Sequence, residues 1–476
     1  MDKRFFPGKK APEDVCTTTP CDPRPESLLP LDVEESPEQD DPDDPFAPSS
    51  CPDGGKRAYM VLAGSFIGLL VDFGLVNAVG SIQSYLALHQ LADVSSASSS
   101  LIFSFFLTMV YNTIVFSGVL FDELGCTIPT VLGTVMLFVG LFCTGECESV
   151  VSFIFVFALI VGSSLGTLAG PLTGVVSHWF LRNRSKAFGV ATLGGSVGGI
   201  VFPLLLNKLF STVGFRWGMR IFAFICTSLL AISSFLIKER YTNAKVEETE
   251  ATTPTQKITR FFSRLYDLSR KSVDFSSVKD YRFAFCMAGN ALGETALGCS
   301  ITYFASYVTY IGFTETTANT AITVMNASGI LGRYVAGVLA DRIGCYNVMI
   351  FLTMFASAVN LAIWLGWSTY AGSIQSVYCY SVLYGFSNSA VMSLGPSCVG
   401  SISPTREFGK RYGTMMLAGG VAVFSGMLTA GGLLTHKSLA SYRHLALYSG
   451  LLTILGVAFW TLSRYFQVGL KINVKV

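Results

Sequence analysis

Residues 327–346 read ASGILGRYVAGVLADRIGCY: an apolar helical run carrying one arginine, Arg333, that ends in Gly337-x-x-x-Asp341-Arg342-x-Gly344 just before a second apolar run. A weaker copy, Gly118-x-x-x-Asp122-x-x-Gly125, begins 219 residues upstream and also lies between two apolar runs. Two antiparallel helices joined by about four residues need a tight turn, which glycine supplies without a Cβ penalty. An aspartate at the edge of such a hairpin can accept bonds from freed backbone donors or from a neighbouring helix end. Repetition at about half the chain length marks a duplicated membrane protein.

Composition agrees. The chain has 476 residues, 51% hydrophobic and 13% charged, with a mean hydropathy of +0.52, too apolar for a soluble domain of this size. A net charge of +2 implies no nucleic-acid partner. The twelve cysteines show no C-x-x-C pair or metal spacing, and those within apolar runs read as small packing residues. The first long apolar run starts near Ala58, is too long for a signal peptide, and reads as an uncleaved first span.

Residues 1–55 are read as an acidic, disordered cytosolic tail: residues 1–52 hold eleven of the seventeen prolines and thirteen Asp/Glu, too little apolar surface to offset backbone ordering. The body divides into apolar runs of membrane-spanning length at 58–85, 98–120, 127–145, 150–177, 186–207 and 217–237, then 282–311, 317–339, 345–367, 373–397, 412–435 and 444–466. The expected fold is therefore all-α: twelve transmembrane helices in two pseudo-symmetric six-helix halves, 56–238 and 282–466. A linker, 239–281, joins them, and 467–476 forms a C-terminal tail. The linker segment ITRFFSRLYDLSRK (258–271) could rest as an amphipathic helix on the inner leaflet or simply tie the halves together. With both termini cytosolic, 27 of the 33 Lys and Arg fall inside, five outside, and Arg333 within a span.

A second echo links spans five and eleven: Ser185-Lys186-Ala-Phe-Gly189 leads to Gly194-Gly195 and Gly198-Gly199, and Lys410-Arg411-Tyr-Gly413 leads to Gly419-Gly420. Small residues let helix backbones approach in lipid, as static packing or as sliding faces. GGSVGG lies inside a span with no strand before it, so it is not a dinucleotide loop. No G-x-x-x-x-G-K-[ST] loop is present, which leaves ATP-driven pumping without support. Ionisable residues inside spans are costly and point to function. Glu294 lies about 18 Å along its helix from Arg282, near the midplane, and is the first candidate for a solute or proton role. Arg333 lies about 9 Å from the inner end of its helix; it could snorkel, pair with Asp341, or bind an anionic group. Asp72 is a weaker third. Asn77, Asn290, Asn326 and Asn388 could face a polar cavity or bond neighbouring helices. No histidine pairs with a carboxylate at metal or catalytic spacing, so neither cofactor, metal nor enzyme activity is expected.

The repeated loop motif resembles the signature of the major facilitator superfamily, found there between spans two and three and again between eight and nine. Pro52-Asp53-Gly54-Gly55 before span one and Asn326-Ala-Ser-Gly-x-x-Gly332-Arg333 in span eight resemble motifs of its monocarboxylate porter family, the second those of fungal members. GLVNAVGSIQSYL (74–86), ATLGGSVGGIVFPLLL (191–206) and REFGKRYGTMM (406–416) are similar to the yeast group that includes a plasma-membrane riboflavin transporter. This resemblance implies a fungal plasma-membrane carrier, monomeric, moving a small organic solute by rocking of its halves, with Asp122, Asp341 and Arg342 bracing the inner face. Animal proton-lactate members of the family use a first-span lysine where this chain has Asn77, and an aspartate one turn before the span-eight arginine where it has Gly329. That departure speaks against the proton-coupled lactate mechanism, and the similarity to the yeast group favours riboflavin or a related solute over a simple monocarboxylate. Proton-coupled monocarboxylate transport, secondary-metabolite export and, from another class, a non-transporting membrane sensor remain as rivals.

Overall fold

The computed structural model describes residues 52–240 and 276–469, apart from positions 93, 95, 405–406 and 435–437, together with residue 474. The proposed tail, most of the linker including 258–271, and most of the C-terminal tail lie outside the described residues.

Among the described residues the chain forms twelve long helices: α1 (Lys56–Leu88), α2 (Ser96–Leu124), α3 (Thr127–Thr144), α4 (Val150–Ser177), α5 and α6 within the run Arg184–Leu236, α7 (Tyr281–Tyr310), α8 (Glu315–Ile343), α9 (Cys345–Ala371), α10 (Ile374–Ser401), α11 (Phe408–Leu433) and α12 (Leu439–Val468). Short side chains start several of them. Thr314, Ser373 and Ser438 each accept the backbone N–H three residues on, and Asp280 accepts that of Arg282, satisfying donors a helix start leaves open. The motif turns use Gly125 at φ 80° and Gly344 at φ 96°, a region closed to most side chains.

The helices fall on the predicted spans to within a few residues at most ends. The fifth-to-sixth connection differs: helix persists through 213, and a single non-helical residue, Gly214, separates α5 (184–213) from α6 (215–236). Helix is extended there because every backbone bond it closes needs no partner from lipid. Lys208 thus belongs to α5, and the Arg216 Nε donates to Glu146 Oε1 at 2.6 Å.

Nine described helical runs are long and apolar enough to cross a membrane, and one of these is the double run α5–α6. Only α7 and α10 fall short, because each carries a row of Asn, Ser, Thr and Tyr through its middle. These two helices supply much of the polar wall described below.

Both described chain ends, and both ends of the segment joining the halves, meet at one face of the bundle, here called the termini face. Asp53 joins the α4–α5 loop, Glu239 the α2–α3 loop, and Ser463 on α12 the start of α7. Close backbone crossings hold the helices together. A Cβ added to Gly74 on α1 would stand 2.7 Å from Gly198 Cα on α5, and one on Gly289 of α7 would stand 3.0 Å from the Trp460 ring on α12. The halves meet through α2 against α11 and α5 against α8. A Cβ on Gly118 would lie 2.7 Å from the Gly409 carbonyl carbon, and one on Gly337 would lie 2.7 Å from Ser185 O. Small residues make such approaches possible where lipid gives no hydrophobic drive for helix association.

Candidate functional site

The repeated motif aspartates work as a matched pair of clamps. Asp122 at the end of α2 accepts the Gly409 and Lys410 N–H groups, at 3.0 and 2.7 Å, from the start of α11. Asp341 at the end of α8 accepts the Ser185 and Lys186 N–H groups, at 3.0 and 2.9 Å, from the start of α5. Each carboxylate thus meets the positive end of a helix in the opposite half, where backbone donors have no intrahelical partner. Arg184 Nη1 donates to Gly400 O, the Ser185 and Ser397 hydroxyls share a bond at 2.6 Å, and Phe188 stacks on Phe408 at 5.9 Å. Together these contacts close the halves against each other at the termini face. Arg342 of the motif is exposed.

Asp53 has a separate role. Its Oδ1 accepts N–H bonds from Leu181, Arg182 and Asn183, at 2.8, 2.7 and 3.2 Å, so the Pro-Asp-Gly-Gly segment fastens the chain before α1 to the loop entering α5.

Beyond the clamps lies a cavity between the halves, with about 1060 Å³ of empty space, its open part included. Helices of both halves line it, and it brings together Asn77, Asn290, Glu294, Asn326, Arg333 and Asn388. One side, from α1 and α2, is largely apolar: Phe73, Val76, Leu107, Val110 and Ile114. The other, from α7 and α10, carries Asn290, Glu294, Tyr384, Asn388 and Ser389 among the apolar Leu297, Ile301, Val391 and Met392. Glu294 is 4% exposed; its Oε1 accepts from Asn290 Nδ2 at 2.9 Å, one helical turn away. A Cβ on Gly419 of α11 would stand 3.2 Å from Glu294 Oε2, and the Tyr111 hydroxyl from α2 faces the same carboxylate. Tyr412 on α11 is within electrostatic reach of Glu294 and of Asp72.

Arg333 reaches across the halves. Its Nη1 donates to the Thr192 carbonyl on α5 rather than to Asp341, which is taken up by the start of α5. Asn77 Nδ2 donates to Gly195 O at 3.4 Å. Asp72 is not on the cavity wall: it is 1% exposed within the bundle, and among the described residues neither of its carboxylate oxygens has a hydrogen-bond partner.

Sequence reading did not single out Tyr111, Tyr384 or Tyr412. Signals for two of them were present. Tyr111 precedes Gly118 by seven residues, two turns along the same face of α2, and Tyr412 sits beside Gly413 inside the second echo.

The model of the Major Facilitator Superfamily matches residues 61–270 and 283–472. The riboflavin transporter MCH5 of Saccharomyces cerevisiae is 35% identical over 431 residues, 89% of this chain and 81% of its own length. The agnestins efflux protein AgnL12 of Paecilomyces divaricatus is 29% identical over 86% of this chain and 87% of its own. Among solved structures, the human organic anion transporter MFSD10 superposes with a TM-score of 0.64 at 16% identity, covering 85% of this chain and 99% of that one, a likeness of fold. The chain is a multi-pass membrane transporter that belongs to the major facilitator superfamily.

Proposed function

We propose that this transporter carries riboflavin or a related small organic solute by alternating access, through the cavity between its halves. The observation that supports the solute most is the 35% identity to a riboflavin transporter over most of both chains. The mechanism is supported by the position of the cavity and by the two aspartate clamps, which join the halves at the termini face, while the Arg333–Thr192 bond crosses between the halves at the cavity wall. Basic residues favour a cytosolic termini face; the arrangement then corresponds to an outward-facing state, with Glu294, Asn290, Asn77 and Arg333 on the solute pathway. Asp72, behind the wall, would act through its neighbours. A monomer in the plasma membrane is the proposed form.

Export of a secondary metabolite is the second reading, favoured by the 29% identity to an efflux protein. The test is uptake of labelled riboflavin and labelled lactate by cells that lack their own carriers and express this protein, with and without a protonophore. Riboflavin uptake insensitive to the protonophore is expected, since no lysine–aspartate pair accompanies Arg333. Protonophore-sensitive lactate uptake would overturn the solute assignment, and release of preloaded riboflavin without uptake would favour export.

A further inference from the structure

A cysteine follows the glycine that ends each copy of the repeated motif: Gly125-Cys126 and Gly344-Cys345. Their surroundings differ. Cys126 Sγ donates to Glu239 Oε2 at 2.5 Å, and the Cys126 N–H donates to the same oxygen at 3.2 Å. Burial and this carboxylate push the Cys126 thiol well up, which keeps it protonated and unreactive. Cys345, the first residue of α9, meets thiols and hydroxyls instead. The Cys398 thiol of α10 is hydrogen-bonded to its sulfur, and Ser401 Oγ lies 3.8 Å from it. Cys286 of α7 stands beside the pair, bonded to Tyr346, whose hydroxyl donates to the Cys398 carbonyl at 3.4 Å. Cys345 is 5% exposed and Cys398 0%, so an attacking molecule reaches Cys345 first and has to be small.

The pair occupies the place where the C-terminal half grips α5. Cys345 adjoins Gly344, the turn that closes the Asp341 hairpin, and Asp341 holds the Ser185 and Lys186 N–H groups. Cys398 lies between Ser397, which shares a bond with Ser185 at 2.6 Å, and Gly400, which accepts from Arg184. The hairpin and the end of α10 thus hold the same helix start as separate elements, and the two thiols meet where those elements touch. A covalent bond there makes them one unit, so that α5 has to leave both together.

We infer that Cys345 and Cys398 are a modification site, joined reversibly into a disulfide by hydroperoxides, and that the bond holds the termini face closed. Hydrogen peroxide transfers one oxygen to the Cys345 sulfur, giving a sulfenic acid and one water. The Cys398 sulfur then attacks the Cys345 sulfur; the S–O bond breaks and the hydroxyl leaves with the Cys398 proton as a second water. Two thiols are oxidised and one peroxide is reduced. Exchange with a reducing dithiol, itself oxidised to its disulfide, returns both thiols.

The test uses the purified full-length protein in lipid nanodiscs, treated with hydrogen peroxide, quenched with catalase, and read by alkylation with peptide mass spectrometry and by hydrogen exchange. Neither readout depends on the solute. The expected product is a Cys345–Cys398 cross-linked peptide, lighter than the reduced pair by two hydrogens, with Cys126 still open to alkylation after denaturation. The Ser185 and Lys186 amides should exchange at least about fivefold more slowly than in the reduced protein, the low end for coupling between distinct sites, and dithiothreitol should reverse both changes. Cys345→Ser or Cys398→Ser should abolish the cross-link and the slowing; the oxidised-against-reduced comparison of the parent stands even if a variant does not fold. Cys345 and Cys398 left fully alkylated after peroxide, oxidised without joining, or Cys398 joined to Cys286 instead, would overturn the site. The expected disulfide with unchanged exchange at Ser185 and Lys186 would overturn its action on the closed face.

Discussion

Replacing Asp122 with alanine tests whether the two clamps open as one. Asp122 accepts two N–H bonds from the start of α11, at 3.0 and 2.7 Å, and Asp341 accepts two from the start of α5, at 3.0 and 2.9 Å. A hydrogen bond to a charged acceptor contributes about 1.5–3 kcal/mol net. Taking the lower end for a site near the membrane edge, two bonds amount to about 3 kcal/mol, or roughly a 100-fold shift toward the state in which the halves part at this face. Exchange at Gly409 and Lys410 would rise trivially, since their acceptor is gone. The informative amides are Ser185 and Lys186, which belong to the other clamp and touch nothing that was changed. Hydrogen exchange of the purified protein should show these two amides exchanging about 100-fold faster in Asp122→Ala. The converse should hold for Gly409 and Lys410 in Asp341→Ala. Acceleration confined to the clamp that was mutated, with the distant pair as protected as in the parent, would refute rigid-body parting of the halves.

Further outcomes are expected. Arg333→Ala removes a bond to the Thr192 carbonyl across the halves and should shift the same equilibrium by about tenfold, read at the same amides. Gly74→Val forces a side chain into the Gly198 backbone, 2.7 Å away at Cβ, and should cost roughly 1–3 kcal/mol of stability, measured as a lowered thermal midpoint. Asp53→Ala frees the Leu181, Arg182 and Asn183 N–H groups and should lower stability by about 1–2 kcal/mol, most visibly as faster exchange in residues 181–183. His178, beyond the end of α4, is held by burial down to about 4. Its depressed folded-state value means that the unfolded chain takes up the proton first. Its destabilising effect is therefore absent above about pH 6.5 and grows toward about 3 kcal/mol as pH falls to 4. The melting temperature of His178→Leu should accordingly fall less than that of the parent between pH 6.5 and 4.5; equal slopes would contradict this.

The fold was legible because lipid constrains sequence in two simple ways: spans must be long and apolar, and hairpin turns must tolerate glycine conformations. The paired motifs at Gly118 and Gly337 carried the duplication, and apolar run lengths carried the span count. The fifth-to-sixth connection was less legible, since Lys208 and Arg216 suggest a loop where one glycine, Gly214, suffices to break the helix. The polar residues Asn290, Glu294 and Asn388 stood out against apolar surroundings, and all line one cavity. What they bond to was not readable. Asn290 and Glu294 are one turn apart, a pairing helical spacing permits but does not require. The Tyr384–Ser300–Ser449 chain joins α10, α7 and α12 and follows from packing alone. Arg333 illustrates the same limit: Asp341 lies two turns away along its own helix, but the acceptor Arg333 meets is a carbonyl on α5, exposed to it by the close crossing at Gly189.

Counterflow with purified protein tests the central claim most directly. Liposomes containing the protein and preloaded with unlabelled riboflavin are diluted into labelled riboflavin, and internal label is followed over time. A carrier that alternates access through one site takes label in transiently above its equilibrium level, and does so unchanged by a protonophore; that overshoot is the predicted result. Label entering no faster than into protein-free liposomes, with the protein shown to be folded, would contradict the account.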